Sequence, residues 1–331
     1  MSEALLQVKG LRMVFENKRN SFSAVDDLSF EVSRGRTLGI VGESGSGKTM
    51  ASLSVLGLLP NQGRVSEGEI LFEGRDLRKC SESELQKLRG SEISMIFQDS
   101  MMSLDQVYSV GYQISEAILA HEKVSKKEAR ERTLRLISQV GIPHPDRVYD
   151  SYPFELSGGM CQRIMIAIAL SCNPKLLFAD EPTTALDVTV QAQILDLLKD
   201  MQKQYDMGIV LITHDLGVIA EIADDVVVMY AGQPVEMGSL ATIMHRLSHP
   251  YTAGLMKAMP KVGEKKEMLY NIKGMVPDIR HMPEGCRFCT RCPLADDRCR
   301  QEQPQMREIE TGHYARCHKA VPQQEGGLQV E

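Results

Sequence analysis

The stretch Gly42-Glu43-Ser44-Gly45-Ser46-Gly47-Lys48-Thr49 decides the fold of this chain of 331 residues. It follows the pattern G-x-x-x-x-G-K-[ST] between an apolar run, Thr37–Val41, that predicts a buried strand and a segment, Lys48–Leu59, that predicts a helix. Glycines allow backbone N–H groups to turn toward a polyphosphate, and Lys48 adds a positive charge. We therefore expect a phosphate-binding loop, with the Thr49 hydroxyl as a ligand of Mg²⁺.

Three further apolar runs predict buried strands: Ile93–Phe97, Leu176–Ala179 and Ile209–Thr213. A helical pattern over Val188–Gln204 separates the last two of them, as in a parallel βαβ unit. The fold class that follows is α/β with a parallel sheet. Residues 103–172 show one helical pattern after another, so we expect a helical subdomain inserted in this α/β core. Residues 226–236 predict a closing hairpin.

Polar side chains stand at the ends of these strands. Asp180 and Glu181 follow the second run, where Asp180 is placed to hold Mg²⁺ and Glu181 to polarise an attacking water. Gln98 could reach the metal or the water, and His214 could donate a hydrogen bond to a γ-phosphate. Each of these residues alone is more often an ordinary strand end, and they gain weight only as a set beside a phosphate loop.

A second candidate anion site is Ser157-Gly158-Gly159. Ser157 can cap the helix predicted for Met160–Leu170, and the two glycines leave backbone N–H groups uncovered. An isolated segment of this kind is usually an ordinary helix cap. Its functional interpretation therefore depends on the other motifs.

Composition narrows the class of protein. The formal net charge is −6, which argues against broad nucleic-acid binding. The hydrophobic content is 43%, with no apolar run of the roughly 18 residues that a membrane-spanning helix needs. The start of the chain, Met1-Ser2-Glu3-Ala4, shows no export signal, so we expect a cytosolic protein.

The motifs, in this order, resemble those of the nucleotide-binding subunits of ABC transporters over residues 5–250. The series comprises the Walker A loop, the Q-loop at Gln98, the signature at Leu156–Gln162, Walker B at Leu176–Glu181, the D-loop at Ala185–Asp187 and the switch His214. The resemblance implies the fold of a P-loop NTPase and ATP held between two such subunits. It also implies stacking of adenine on an aromatic residue near the first strand, for which Phe15 is our choice and Phe22 the alternative. The resemblance implies that Glu181, His214 and Gln98 act in catalysis. It implies that Thr49, Gln98 and Asp180 bind Mg²⁺. The residues implied to contact ATP are Phe15, Gly42, Ser44, Gly45, Ser46, Gly47, Lys48, Thr49, Ser157, Gly158, Gly159 and Asp187.

Finer features resemble the ATPases of oligopeptide, dipeptide and nickel importers. They include Ile96-Phe97-Gln98-Asp99, Asp180–Thr189, His249-Pro250-Tyr251-Thr252 and the terminal cysteines. Four residues at three places depart from that group: Ser100 stands where Pro is common, Asp105-Gln106 replaces Asn-Pro, and Cys161 replaces a frequent basic residue of the signature. The first two follow the Q-loop, where a permease would dock.

The resemblance implies an ATP-hydrolysing subunit that powers uptake of peptides or a related solute such as nickel or a glutathione-like compound. Its partners would be transmembrane permeases, a second ATPase subunit (the same chain or a related one) and, indirectly, an extracytoplasmic binding protein. It would be a peripheral protein on the cytoplasmic side of the inner membrane. The alternatives are a soluble ABC ATPase outside transport and an ATP-sensing iron–sulfur regulatory protein.

Five of the eight cysteines lie between Cys286 and Cys317. The set Cys286, Cys292, Cys299 and Cys317 resembles the C-terminal extension of the peptide-importer ATPases, for which a 4Fe–4S cluster is the implied ligand. Zinc and unligated thiols are the alternatives, and the extra Cys289 leaves the fourth ligand open. We expect an ATPase domain over residues 1–250, with the helical subdomain at about 103–172, and an extension over residues 251–331.

Overall fold

The structure, a computed structural model, describes residues 4–16, 20–184, 186–259 and 270–322. The strands of these residues are β1 (Leu6–Glu16), β2 (Ser21–Val32), β3 (Thr37–Val41), β4 (Gly63–Phe72), β5 (Arg75–Asp76), β6 (Ile93–Ile96), β7 (Leu176–Asp180), β8 (Gly208–Thr213), β9 (Asp225–Tyr230), β10 (Gln233–Ser239), β11 (Arg307–Glu310) and β12 (His313–Ala315). The helices are α1 (Lys48–Leu56), α2 (Glu82–Leu88), α3 (Ser100–Ser103), α4 (Val110–His121), α5 (Lys126–Gln139), α6 (Pro145–Tyr149), α7 (Gly158–Leu170), α8 (Val188–Tyr205), α9 (Leu216–Ile222), α10 (Leu240–His245), α11 (Pro250–Ala258) and α12 (Asp297–Gln301).

The chain divides into two compact units. Among the described residues, the first unit contains those of 4–5, 33–36 and 79–212, and the second contains those of 6–32, 37–78 and 213–322. The expected division at residue 250, and the helical subdomain at 103–172, remain predictions about domain organisation.

In the first unit, β6, β7 and β8 pair in parallel in that order. Every residue of β7 and β8 is buried, which is why these strands are continuous apolar runs rather than alternating ones. Helix α8 connects them, with Ile194, Leu195 and Leu198 fully buried. The predicted strands and the parallel βαβ unit are therefore confirmed.

Between Leu104 and Ser171, the described elements of the first unit are helices and one 3-10 turn, Pro153–Glu155. Ser109, Ser125 and Ser157 cap three of these helices, and each Oγ accepts a backbone N–H of the first turn. The buried faces of α4, α5 and α7 pack on one another through residues such as Ile114, Ile137 and Ile164.

The second unit contains an antiparallel sheet in the order β2-β1-β4-β5. Leu28, Phe30 and Val32 alternate with polar neighbours on β2, so that one face of the sheet is apolar. Helix α1 packs against β1, β2 and β4. The alternation of Leu28, Phe30 and Val32 with polar residues predicts this part of β2 from the sequence. β1 and β4 instead carry interrupted patterns, with register shifts at irregular positions.

The other strands of the second unit follow the order β11-β12-β10-β9-β3. β9 runs parallel to β3 and forms the predicted hairpin with β10. β12 then adds to β10, which brings the cysteine-rich tail onto the unit that holds the stretch 42–49.

The tail is fixed by a buried carboxylate on β10. Glu236, fully buried, accepts backbone N–H groups of Ser248 at 2.7 Å and His249 at 3.0 Å, and the His313 imidazole lies 2.9 Å from the same carboxylate. One side chain thus joins β10, the start of α11 and β12. Among the described helices, none is both long and apolar enough to cross a membrane.

Candidate functional site

The phosphate loop, Gly42–Thr49, connects β3 to α1 in the second unit, as the sequence predicts. Gly45 and Gly47 have positive φ angles of 78° and 94°, which side chains with a Cβ rarely adopt. A Cβ on Gly47 would stand 2.5 Å from the carbonyl oxygen of Ala24 on β2. The second glycine of the motif is therefore required both by its backbone angle and by the close approach of a neighbouring strand.

Lys48 is almost fully buried beneath this loop. Its Nζ donates to the carbonyl oxygens of Gly42 at 2.7 Å and Glu43 at 3.0 Å. These bonds hold the ammonium group inside the curve of the loop, where it can meet the oxygens of a bound polyphosphate. Thr49 is the second residue of α1 and is half-buried.

Glu43, for which the sequence predicts no role, is bonded to other elements through both its backbone and its carboxylate. Its backbone N–H donates to the hydroxyl oxygen of Tyr251 on α11 at 2.9 Å. Its carboxylate forms a two-bond ion pair with Arg291, with N–O distances of 2.8 and 3.2 Å. Burial raises the pKa of Tyr251 well above its ordinary value, so the hydroxyl stays neutral.

The loop has another support from the turn between β9 and β10. The Gly232 N–H donates to the carbonyl oxygen of Ser46 at 3.0 Å. Arg287 fixes this turn, because it donates to the carbonyl oxygen of Ala231 at 2.6 Å and pairs with Asp26 of β2. Both arginines that support the loop come from the cysteine-rich tail.

In the first unit, the end of β7 carries the two acidic residues. Asp180 is buried, with 2% of its surface exposed. Glu181 has a φ of 48°, in the left-handed region that is strained for a residue with a side chain. Its N–H donates to Ile212 O on β8 at 2.8 Å, which fixes the turn. Strain of this kind is found at functional sites more than elsewhere.

Neighbouring side chains donate hydrogen bonds to the Glu181 carboxylate. The amide of Gln98, directly after β6 and Phe97, donates at 3.0 Å, and the hydroxyl of Thr184 donates at 2.8 Å. The structure thus brings together the Q-loop glutamine and the predicted catalytic glutamate across 83 residues of sequence. Thr184 was missed, although its place in Asp180–Asp187 was a usable signal.

The segment Ser157-Gly158-Gly159 lies at the start of α7 in the same unit. The Ser157 hydroxyl caps the helix by accepting the Met160 N–H at 3.3 Å, as expected. Ser157 and Gly158 are exposed, and a Cβ on Gly158 would meet no atom within 4 Å. Cys161 instead faces inward, with its Sγ 3.4 Å from Pro153 O, so this departure from the family pattern leaves the exposed residues unchanged.

Three other predicted residues have definite places. Phe15, on β1, pairs with Phe22 on β2, so the two aromatic candidates for adenine lie side by side in the second unit. Asp187 caps α8 by accepting the Val190 N–H at 3.0 Å, while Ala185 lies outside the described residues. His214 is exposed directly after β8.

All five cysteines of the tail line one cavity in the second unit: Cys286, Cys289, Cys292, Cys299 and Cys317. Burial raises the pKa of Cys286 to about 12 and that of Cys292 to about 11, so the free thiols are protonated at neutral pH. Across the parts of the chain that the structure describes, no group of three or more His, Cys, Asp or Glu side chains is placed to hold a single metal ion. The donor set fits a thiolate-bound group, but its present spacing does not form a one-ion site.

Sequence reasoning missed Arg287, Phe288 and Arg291, which alternate with the cysteines in Cys-Arg-Phe-Cys-Thr-Arg-Cys. Phe288 packs against the rings of Tyr230 and Tyr251, with centroids 5.1 and 5.4 Å away. Two arginines in a short, cysteine-rich segment were the available signal. Nothing in the sequence pairs them with Glu43 and Asp26, because those contacts span 248 and 261 residues.

Two family models match the chain. The model described as "ABC transporter" matches residues 25–184, and that described as "Oligopeptide/dipeptide transporter, C-terminal region" matches residues 235–299.

The chain is similar along nearly its whole length to proteins of known role. It is 49% identical to the dipeptide transport ATP-binding protein DppD of Escherichia coli (strain K12), over 95% of this chain and 96% of that protein. It is 48% identical to the oligopeptide transport ATP-binding protein AppD of Bacillus subtilis (strain 168), over 95% and 96%.

Solved structures share the fold. The dimeric ATP-binding cassette MJ0796, in a post-hydrolysis state bound to ADP and phosphate, is 25% identical and matches with a TM-score of 0.64 over 71% of this chain and 98% of that one. The protein cbiO1 of Clostridium perfringens, part of an ABC transporter complex, is 30% identical with a TM-score of 0.63, over 73% and 91%. The expected ABC-type P-loop fold is confirmed, and the chain belongs to the family of ABC transporter ATP-binding proteins, in the group that contains the dipeptide and oligopeptide transport proteins.

Proposed function

We propose that this protein hydrolyses ATP to power an importer of dipeptides, oligopeptides or a related solute such as nickel or a glutathione-like compound. The ATPase assignment is carried by one observation above all, the Glu181 carboxylate held by Gln98 and Thr184 at the end of a buried strand. The assignment to peptide uptake is supported by the similarity to DppD and AppD along nearly the whole chain.

ATP and Mg²⁺ are the expected ligands of an ABC ATPase. The proposed phosphate contacts are Lys48 and the backbone N–H groups of the loop formed by Gly42, Ser44, Gly45, Ser46 and Gly47. Phe15 is the proposed adenine contact. Thr49, Gln98 and Asp180 are the proposed ligands of Mg²⁺, which would neutralise charge on the phosphates.

Hydrolysis requires an oriented water molecule more than it requires covalent chemistry by the protein. In our proposal Glu181 accepts a hydrogen bond from the water that attacks the γ-phosphorus, and the bond to the oxygen of ADP breaks. His214 donates a hydrogen bond to the γ-phosphate. Gln98 keeps the carboxylate of Glu181 oriented, which its hydrogen bond at 3.0 Å supports.

ATP would be sandwiched between two cassettes. Ser157, Gly158 and Gly159 would contact the γ-phosphate held by the phosphate loop of the partner cassette, and Asp187 would lie near the same nucleotide. The exposure of Ser157 and Gly158 and the free space around Gly158 support this role. The partner is a second copy of this chain or a related subunit.

Permease subunits are the proposed membrane partners, and the protein would lie peripherally on the cytoplasmic face of the inner membrane. Large apolar side chains that follow Gln98 are exposed, among them Met102 at 84% and Val107 at 73%. Asp105 and Gln106, which depart from the family pattern, form hydrogen bonds within their own loop. The Asp105 carboxylate accepts the Val107 N–H, and the Gln106 amide donates to the carbonyl oxygens of Met101 and Leu104. An extracytoplasmic binding protein would deliver the solute to the permeases.

The cysteine tail would hold a 4Fe–4S cluster through Cys286, Cys292, Cys299 and Cys317, with Cys289 as an alternative ligand. A single zinc ion bound at about 2.3 Å needs four sulfurs within about 3.8 Å of one another, and a cluster tolerates wider spacing. Iron and sulfide in anaerobically purified protein are the expected result. Protein with zinc instead, or with no metal, would overturn the cluster.

Uptake of a radiolabelled dipeptide tests the transport function. Cells that lack this chain are expected to regain uptake with the wild-type protein and not with Lys48→Ala, while uptake of an unrelated amino acid stays unchanged.

Purification from gently solubilised membranes should recover two permeases. If peptide uptake is normal without the chain, the same assay with nickel and glutathione decides the solute, and recovery of soluble partners alone would overturn transport.

A further inference from the structure

The segment Cys286–Cys292, here called the cysteine loop, has two sets of side chains with different surroundings. Its three cysteines line the cavity described above. Its Arg287, Phe288 and Arg291 contact the phosphate loop or the residues that support it. One seven-residue segment therefore forms both the wall of the thiol cavity and a support of the phosphate loop.

Arg291 is held more rigidly than an ordinary surface arginine. Its side chain is 4% exposed, and it donates to the backbone carbonyls of Ile272 at 3.0 Å and Lys273 at 3.1 Å in addition to Glu43. A guanidinium fixed by two backbone carbonyls and bonded twice to one carboxylate has few alternative positions. Glu43 is therefore held by a nearly immobile partner.

Glu43 places a carboxylate in a loop built to bind an anion. An unpaired negative charge at this position would repel the phosphates of ATP. The ion pair with Arg291 cancels that charge, and the bond from the Glu43 N–H to Tyr251 fixes the backbone of the same residue. Without Arg291 the loop would lose both its charge balance and one of its supports.

We propose that Arg291 is a positioning residue for the phosphate loop, acting through Glu43, and that it couples ATP binding energetically to the cysteine loop. The proposal rests on the proposed binding of ATP at Gly42–Thr49. Coupling is reciprocal, so a change in the cysteine loop alters ATP affinity, and bound ATP alters the stability of the cysteine loop.

The charges of Glu43 and Arg291 predict the direction in which each variant changes the affinity for ATP. Arg291→Met keeps an unbranched apolar stem and removes the guanidinium group with its charge and its hydrogen bonds. The affinity for ATP is expected to fall about tenfold, within the range usual for coupled sites. Glu43→Gln removes the repelling charge and is expected to change the affinity less than about threefold. The double variant is expected to bind ATP more tightly than Arg291→Met alone, because no unpaired carboxylate remains.

Arg298→Met is the matched control, since Arg298 lies in the same tail, its side chain is 63% exposed, and it forms an exposed ion pair with Glu302 at the end of α12. Its ATP affinity is expected to equal that of the wild type. Affinities are measured by titration of a fluorescent ATP analogue, with a melting curve of each variant to show that it is folded. Equal affinity in Arg291→Met and the wild type would overturn the positioning role, and a double variant no better than Arg291→Met would overturn its electrostatic basis.

Hydrogen–deuterium exchange of the full-length protein tests the reciprocal effect. A non-hydrolysable ATP analogue is expected to slow exchange in both the phosphate loop and Cys286–Cys292 of the wild type, and in the phosphate loop alone of Arg291→Met. Protection of the wild-type phosphate loop without change at Cys286–Cys292 would overturn the coupling. Absence of protection in both segments, with no analogue bound, would instead contradict ATP binding at this loop, and Lys48→Ala gives the pattern for that case.

Discussion

The two glycine-containing motifs of this protein differ in how much of their surroundings the chain itself provides. The phosphate loop is supported by the β9–β10 turn, by α11 and by the cysteine-rich tail, and a Cβ on Gly47 would collide with the carbonyl oxygen of Ala24 on β2. In the segment Ser157-Gly158-Gly159, Ser157 and Gly158 are exposed and Gly159 is half-buried. A Cβ on Gly158 would meet no atom within 4 Å, whereas one on Gly159 would stand 3.3 Å from Val190.

This difference separates two uses of glycine. Gly47 is needed by its own fold, because both its φ angle and its neighbours exclude a side chain. Gly158 is not excluded by anything in the described part of the chain, so its need for a bare backbone must come from a ligand or a partner. The phosphate loop is therefore an internally completed structure, while Ser157 and Gly158 of the signature segment are exposed.

The largest expected effect separates hydrolysis from binding. Glu181→Gln in the assembled transporter should lower ATP turnover about 10²–10⁴-fold, the usual loss for a missing general base, because the water is no longer oriented by a carboxylate. ATP affinity should change little, since the phosphate loop is intact. Turnover is measured as phosphate release, and a variant that retains more than a tenth of wild-type turnover would contradict the role of Glu181.

Gly47→Ala tests the internally completed loop. The ATP affinity is expected to fall about a hundredfold, because the methyl group meets Ala24 O and a strained φ costs roughly 1–3 kcal/mol. Gly45→Ala is the control, with a similar φ but no atom within 4 Å of the new Cβ. The affinity of each variant for ATP is measured by titration calorimetry. Equal losses of affinity in Gly47→Ala and Gly45→Ala would contradict the importance of the contact with Ala24.

Gly158→Ala tests the signature segment. The melting temperature and the ATP affinity of the isolated subunit should stay unchanged, since a Cβ has free space. Turnover in the assembled transporter should fall about tenfold, the effect expected for one weakened donor to the transition state, because the methyl group would separate the N–H groups from the partner's nucleotide. Normal turnover would remove the signature segment from the ATP site.

Glu236→Gln should affect stability and leave catalysis nearly unchanged. The amide cannot accept all three hydrogen bonds of the buried carboxylate, so unfolding free energy should fall by about 1–3 kcal/mol. Turnover of the folded protein should stay within about twofold of the wild type, because the partners of Glu236, namely Ser248, His249 and His313, take no part in the proposed reaction. Glu310→Gln, in a more exposed pair with Arg246, is the control for urea denaturation.

The fold could be predicted where short-range patterns carry the information. The strands β6, β7 and β8 are continuous apolar runs, and the loop before α1 has a fixed pattern of Gly, Lys and Thr. A first strand was expected near Phe15 but without bounds, and β4 was not predicted, since register shifts in this pair break the alternation of buried and exposed residues.

Short-range sequence patterns predicted only part of the candidate site. Gln98 and Glu181 each follow an apolar strand, and the parallel order of strands brings them together. The pair of Glu43 and Arg291 has no local pattern, because 248 residues separate the two partners and only the packing of the tail joins them. A long-range ion pair of this kind becomes visible only in the folded structure.

Photocleavage by trapped orthovanadate tests whether the phosphate loop and Ser157-Gly158-Gly159 both contact the γ-phosphate of ATP. Vanadate occupies the place of the γ-phosphate beside MgADP in the assembled transporter, and ultraviolet light then cleaves the backbone that contacts it. We expect this chain to be cut both within Gly42–Thr49 and within Ser157–Gly159. Cleavage confined to the phosphate loop would contradict the proposal that the signature segment completes an ATP site.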